Sequence, residues 1–383
     1  MLRFLTAGES HGPGLIGIVE GLPAGLRVDV EAINCDLARR QVGLGRSPRM
    51  RIEHDRVHIL AGLIAGKTTG APLALSIENL DYTNWKDKPL PPQTIPRPGH
   101  ADLAGALKYL RLVAERASAR ETAMRVACGG LARLLLAEFG IVIGSHVLEI
   151  GGVRAKIPDV PYPELFARAA ASDVGVADPA SAARIAQRIR AAMRAKDTVG
   201  GVIEVVALHV PAGLGSHVHW DRKLDGRLAQ AVMSIPSAKG VEIGTAFENA
   251  RRLGTEVHDE VFPADQPLNS PSHPRFPATT RHTNRAGGLE GGVTNGMPVV
   301  VRVALKPLST TATPLRSVDL ATGEPALTQY QRSDFCHVPR ACVIGEAMVA
   351  WVLADALMEK IGGDSLEEMR AHWEATFGLR RAR

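Results

Sequence analysis

The chain has 383 residues, 45% apolar and 22% charged, with a mean hydropathy near zero. That length allows one large or two ordinary domains with an ample core, and no long uncharged apolar run argues for a membrane span. The formal charge of +5 is mild and carried mainly by arginine, and aromatic residues make up only 4%, a balance that argues against a nucleic-acid stacking platform and suits small anionic ligands.

The N-terminus, Met1 to Leu5, turns Gly- and His-rich too early for a signal peptide, so a cytoplasmic location is expected. Residues 2–6 and 15–20 read as short strands flanking the turn Gly8-Glu9-Ser10-His11-Gly12. A helix is expected from Asp29 or Val30 to Gln41, with Arg39 and Arg40 in its last turn and Gly43 just past it. The following loop, Gly43 to Arg51, contains Arg46 and Arg49. Strands are expected at 57–60 and 72–77, then a proline-rich loop over 78–99. Further strands fall at 141–150, 202–210, 241–246 and 299–305. Helices fall within 162–195, at 222–234 and at 342–360. A long polar loop covers 264–286, and the basic tail 379–383 need not be ordered. There are no repeats and no clean linker, so 1–383 reads as a single α+β domain. Cys35, Cys128, Cys336 and Cys342 lack C-x-x-C spacing and read as free thiols rather than a disulfide framework or a metal site.

The most informative stretch runs from Arg97-Pro98-Gly99-His100 to Glu138. Ser118 and Glu121 have capping-box spacing, which starts a helix at Ser118. Met124, Val126, Ala127, Leu131 and Leu134–Leu136 leave that helix few polar positions, so it must be buried. Its N-terminus, beside Arg116 and Arg120, favours an anion; an ordinary capped core helix is the competing account.

Two motif matches fail on context. Gly12-Pro13-Gly14-Leu15-Ile16-Gly17 fits G-x-G-x-x-G, but Gly21-Leu22-Pro23 follows where a dinucleotide fold needs a helix. Ala61 to Thr68 resembles a P-loop, but Gly70 and Pro72 forbid its helix. His217-x-His219-x-Asp221 reads as a surface turn rather than a metal site. Arg40, Arg46 and Arg49 beside flexible glycines form a loop able to fold over a doubly charged anion, with a solvated basic loop as the alternative. His11 between glycines permits close approach to a ligand. His100 precedes Asp102, an expected N-cap, and beside Arg97 it suits a general acid toward a leaving phosphate. Lys306-Pro307-Leu308-Ser309-Thr310 follows a strand and offers a cation, hydroxyls and backbone donors, a phosphate cradle without a P-loop. Arg332-Ser333-Asp334 sets a base beside an acid, which also describes a plain ion pair.

Taken together these motifs resemble those of the chorismate synthase family, as do Lys239-Gly240-Val241-Glu242-Ile243-Gly244 and Gly287-Gly288-Leu289-Glu290-Gly291-Gly292. They follow the family's order over almost the whole chain. The resemblance implies an α+β fold, a β-α-β sandwich with apolar helices between two antiparallel sheets, assembled as a homotetramer. It also implies loss of phosphate from 5-enolpyruvylshikimate 3-phosphate with removal of a C6 hydrogen, giving chorismate with reduced FMN as cofactor. Carried over by position, His11 is expected to protonate or stabilise the reduced flavin and His100 to serve the departing phosphate. Asp334 resembles the carboxylate that helps flavin N5 accept and lose a proton. Arg40, Arg46, Arg49, Arg97 and Arg332 resemble the anion clamp, with Arg40 and Arg46 alternatively meeting NADP. FMN contacts map onto Arg116, Ala117, Ser118, Pro236, Ser237, Gly291, Lys306, Pro307, Leu308, Ser309, Thr310 and Arg332. The chain departs from the family in a shortened segment between Tyr109 and Glu115 and in Phe335 after Asp334. No added reductase segment is evident, so an external flavin reductase is expected, with NADPH as an indirect reductant. The rival readings are an NAD(P)-linked oxidoreductase using residues 12–17 and a basic nucleic-acid binder.

Overall fold

The computed structural model describes residues 1–46, 54–84, 86–87, 93–111, 113–264, 277–331 and 333–378. Two antiparallel sheets enclose its helices. The first holds β1 (Arg3–Ala7), β2 (Gly14–Glu20), β3 (Val57–Ala61) and β4 (Leu73–Glu78) in the order β1–β2–β4–β3. The second holds β5 (Val142–Ile150), β6 (Val153–Arg154), β7 (Gly201–Leu208), β8 (Ala238–Ile243) and β9 (Val299–Leu305) in the order β8–β9–β7–β5–β6. Alternation in β2 buries Leu15, Gly17 and Val19 and turns Ile16 and Ile18 outward, as period-two pleating requires.

Between the sheets lie α1 (Val30–Gln41), α3 (Thr122–Ala137) and α7 (Val338–Ile361); α2 (Asp102–Tyr109), α4 (Tyr162–Ala170), α5 (Pro179–Arg194), α6 (Leu224–Met233) and α8 (Leu366–Phe377) complete the set of longer helices. The middle layer is tight because small residues meet. A Cβ on Gly129 of α3 would stand 2.4 Å from the Cβ of Ala347 on α7, and one on Gly17 of β2 would stand 2.6 Å from Met124 Sδ. By length and composition α7 could cross a membrane, but 89% of its apolar window is buried inside the protein, which makes it a core helix. Its Glu346 is fully buried and held by both outer helices. Arg39 donates to its two oxygens at 2.8 and 2.7 Å, Arg133 at 3.0 Å and Ser145 at 2.5 Å. Burial pushes the Glu346 carboxyl up, but the Arg39 bond and the Arg133 charge outweigh it and leave the group below its ordinary value. Across the second sheet, register sets His146, Glu204, Arg302 and Glu242 side by side on four strands, a ladder in which carboxylates alternate with an imidazole and a guanidinium group.

Some boundaries differ from expectation. The strand expected at 241–246 is Ala238–Ile243, and the last apolar helix begins at Val338, with Pro339 in its first turn. The helix α8 was not foreseen. Within 78–99 the segment Leu80–Asn84 forms a 3-10 turn, and within 264–286 Thr279–Thr280 pairs with Phe262–Pro263. The tail 379–383 lies outside the described residues. All four cysteines are free, as their spacing implied.

Candidate active site

The turn between β1 and β2 needs glycine at its start: Gly8 has φ 118°, and a Cβ there would stand 2.5 Å from the Gly14 carbonyl oxygen. Buried Asn79, just past β4, donates Nδ2 to the carbonyls of Ser10 (3.2 Å) and Gly12 (2.7 Å). The turn is then fixed from the other side by Glu115. Its Oε2 accepts the His11 backbone N–H at 2.9 Å, and its Oε1 lies 2.8 Å from His11 Nδ1. Arg116 donates to the Thr6 carbonyl and hydroxyl, both at 2.8 Å, and to the Gly8 carbonyl at 3.3 Å. Ser118 Oγ donates to Ser10 Oγ at 3.2 Å.

A second turn builds around His100. Gly99 has φ 78°, and Asp102 gathers the turn onto its carboxylate. Oδ2 accepts the Arg97 backbone N–H at 3.0 Å and Nε at 2.7 Å, while Oδ1 accepts Arg97 NH2 at 3.0 Å and lies 2.5 Å from His100 Nδ1. Burial pushes the Asp102 carboxyl up, but hydrogen bonds from His100 and Arg97 prevail and hold it well below the usual carboxylate range. This turn docks on the Lys306–Thr310 segment. Arg97 NH1 donates to Thr310 Oγ1 at 3.0 Å, and Lys306 Nζ to the Gly99 carbonyl at 2.8 Å and Ser309 Oγ at 2.9 Å. A Cβ on Gly99 would stand 3.3 Å from Ser309 Oγ, so a side chain would crowd the donors. Burial and the neighbouring Lys239 hold the Lys306 ammonium below its ordinary value.

The third group surrounds the start of α7. Asp334 pairs with Arg340 at 2.6 Å, and His337 meets the Ser237 hydroxyl. The Ser237 carbonyl accepts Lys306 N–H at 2.9 Å, which ties this group to the second. Arg125 of α3 joins it to the first by donating to the Ser234 carbonyl (3.2 Å) and hydroxyl (2.7 Å). Gly45 closes the circuit, its carbonyl accepting Phe335 N–H at 2.7 Å. The loops bearing His100 and Asp334 are therefore bonded to each other through Lys306 and Ser237, and the His11 turn is related to them along the chain from Ser118 to Arg125.

A sequence model described as chorismate synthase matches residues 2–358 of this chain. The chorismate synthase of Symbiobacterium thermophilum is 55% identical over 386 residues, covering 96% of each chain, and that of Geobacter sulfurreducens is 50% identical with 98% of each covered. A crystal structure of a chorismate synthase superposes with a TM-score of 0.78 at 42% identity, covering 98% of this chain and 96% of that one. The chain belongs to the chorismate synthase family. Its reaction is that of a carbon–oxygen lyase, which eliminates phosphate from 5-enolpyruvylshikimate 3-phosphate to give chorismate.

Of the residues singled out from sequence, His11, Arg116, Ala117 and Ser118 share the first group. Arg97, His100 and Lys306–Thr310 share the second, and Pro236, Ser237 and Asp334 the third. Arg40 behaves differently from a mobile clamp. It is buried, donating Nε and NH2 to Thr122 Oγ1 (3.1 and 2.9 Å) and NH2 to the Ala119 carbonyl (3.0 Å). Asp55 lies 3.5 Å from it and 2.5 Å from Arg120. Breaking a buried ion pair costs about 3–5 kcal/mol, whereas one hydrogen bond to a charged ligand returns roughly 1.5–3 kcal/mol. Arg40 therefore stays as an anchor under the loop. Arg46 is exposed, with NH1 donating to the Gln41 carbonyl at 3.2 Å, while Arg49 and Arg332 lie outside the described residues. Gly291 sits in the hairpin turn 289–294, where Gly292 accepts the first N–H of α6; Pro236 and Ser237 follow that helix's other end, about 15 Å away by helical rise.

Two capping expectations are corrected. Ser118 caps the 3-10 turn Ala119–Glu121 and α3 proper begins at Thr122, because the Glu121 carboxylate pairs with Arg125 instead of turning back. Asp102 is the first residue of α2 rather than its cap, its carboxylate engaged by Arg97 and His100. The G-x-G-x-x-G match runs from the turn before β2 into that strand, and the P-loop look-alike forms the hairpin Leu63–Ile64/Lys67–Thr68. His219 and Asp221 are exposed and 4.0 Å apart, and no metal-holding cluster occurs among the described residues. Glu115, Asp55, His337 and Arg340 carried no local signal of their roles.

Proposed function

We propose that this chain performs the elimination with reduced FMN, held by Arg116–Ser118, Pro236–Ser237, Gly291, Lys306–Thr310 and Arg332. The donor set at Lys306, Ser309 and Thr310 is of the kind a phosphate monoester needs, and Gly99 leaves room beside it. When bound, the reduced flavin supplies electron density to the allylic system as phosphate departs and receives the C6 hydrogen. The chain's own groups carry the remaining work. His100, its Nδ1 proton held on Asp102, delivers a proton from Nε2 to the leaving phosphate, while Arg97 offsets its charge. His11, likewise held on Glu115, supports the cofactor's protonation state. Asp334, kept in place by Arg340, takes up a proton. Arg46, Arg49 and Arg97 meet substrate carboxylates and phosphate, or an NADP phosphate if that nucleotide binds.

The observation that carries this reading is the docking of the His100 turn on the Lys306–Thr310 segment through Arg97 and Gly99, which seats the turn bearing a candidate acid against a phosphate cradle. We further propose one domain, a homotetramer, a cytoplasmic location and reduced flavin drawn from an external reductase, with NADPH acting only through it. An anaerobic assay with chemically reduced FMN tests the core of this: phosphate and chorismate should form in equal amounts and only with flavin present. Turnover without flavin, or consumption of one NADPH per chorismate by the purified protein, would overturn it.

A further inference from the structure

Ser237 is one of five non-glycine residues with positive φ among those described, at 73°, a backbone region that favours glycine. It is nevertheless the residue whose carbonyl receives the Lys306 N–H at 2.9 Å, so the turn that opens the cradle hangs on it. Two contacts hold its hydroxyl. Oγ donates to the Pro236 carbonyl and meets His337 Nε2. A hydroxyl has one proton, and here it is given to Pro236, so the contact with His337 needs Nε2–H as donor. That fixes the tautomer: Nδ1 carries the lone pair, and it is a buried atom with no hydrogen-bond partner among the described residues. The charged groups around the ring are Arg340, Asp334 and Lys306; burial, then Arg340, pushes the imidazole down to about 4, so it is neutral at working pH. With its proton given away and one accepted, Ser237 Oγ has a single lone pair left. It can accept from a ligand and cannot donate.

We propose that His337 is a positioning residue that fixes Ser237 Oγ as a hydrogen-bond acceptor, directed at a donor on the flavin's ring or ribityl chain and not at its phosphate. This rests on the flavin reading above and sharpens it. A phosphate presents only acceptor oxygens near neutrality, so it suits Lys306, Ser309 and Thr310; an N–H or a ribityl O–H suits Ser237.

The test compares FMN with riboflavin, which lacks the phosphate, by equilibrium titration without turnover. His337→Ala and Ser237→Ala should each weaken both ligands by a similar factor, about tenfold, and the double variant should lose little more than either single one. His337→Gln, whose amide can still donate to Ser237, should recover most of the loss. The inference is overturned if both ligands bind His337→Ala normally, if only FMN is weakened, or if the two losses multiply. Should His337→Ala fail to fold, Ser237→Ala on the half-buried turn gives the same decision between ring and phosphate. Wild-type protein that binds neither ligand would instead overturn the flavin reading, and this inference with it.

Discussion

His11 and His100 each bring Nδ1 to a carboxylate, but the two carboxylates reach them by different routes. Asp102 is two residues beyond His100, nearly buried, and bound by Arg97 through backbone, Nε and NH2. Glu115 is 104 residues from His11, with side-chain exposure of 28%, and it grips the backbone of the turn as well as the ring. The His100 pair is thus a local unit whose charge is matched on site, and its geometry survives small shifts elsewhere. The His11 pair exists only when the segment 113–118 lies against β1 and β2, so it couples the ring's position to the fold. A carboxylate at Nδ1 does the same for both: it keeps the proton there and leaves exchange with a ligand to Nε2.

If that contrast is right, the largest loss comes from the locally built pair. His100→Ala should lower turnover by about 10²–10⁴, the range of a lost acid or base, while FMN titration and thermal midpoint stay near wild type. Phosphate release measured anaerobically checks this, and wild-type turnover would remove His100 from the chemistry. Asp102→Asn comes next. It leaves a ring partner but strands Arg97 without its counter-charge, so turnover should fall by roughly tenfold or more and stability should drop at neutral pH. The sign with pH is set by the lowered Asp102 carboxyl. Its contribution is present above the ordinary carboxyl value of about 4 and is lost as pH falls through the lower folded-state value. Unfolding curves of wild type and Asp102→Asn should therefore converge as pH is lowered below about 4; a gap that is constant with pH would show that the carboxylate's charge is not what holds the turn.

How much of this could be read from the residues depends on how local each cause is. The strand β2, the span of α1 and the apolar run of β9 are nearest-neighbour effects, and each was legible. Asp102 was visible beside His100, yet its task was misjudged because an Asp after a Pro-Gly turn also suits a cap; the competition from Arg97 decides it. The mobility of Arg40 was misjudged for a different reason. Glycines beyond it suggested mobility, but it follows Ile33 by seven residues and Leu37 by three, which puts it on the buried face of α1. That spacing could have found it. Nothing comparable announces Glu115 or His337, whose partners come from distant segments and exist only through the packed fold.

Glu115→Gln probes the distant pair at lower stakes. One amide oxygen can still accept the His11 backbone N–H, so the turn should persist while the ring loses its charged anchor. Turnover should fall less than in Asp102→Asn, by a factor of a few. Amide exchange over residues 8–13 should rise in Glu115→Ala and stay near wild type in Glu115→Gln. Equal protection in all three proteins would mean that Glu115 does not tether the turn.

The smallest effect separates Glu115 from its neighbour Arg116, which also reaches this turn. Thr6→Val removes one of the acceptors of Arg116 NH2 and leaves the Thr6 carbonyl in place. Arg116 is exposed, and solvent competes for each of its bonds, so the cost should be no more than about 0.5–1 kcal/mol in a denaturant titration, with turnover unchanged. Thr6 makes no contact with His11 or Glu115 among the bonds that hold the ring, so it weakens the arginine's hold without touching the carboxylate's. A Thr6→Val variant that lost as much turnover as Glu115→Gln would make Arg116 the tether. The contrast between the two histidines would then be one of salt-screened surface bonding against a buried ion pair, rather than of distant against local carboxylates.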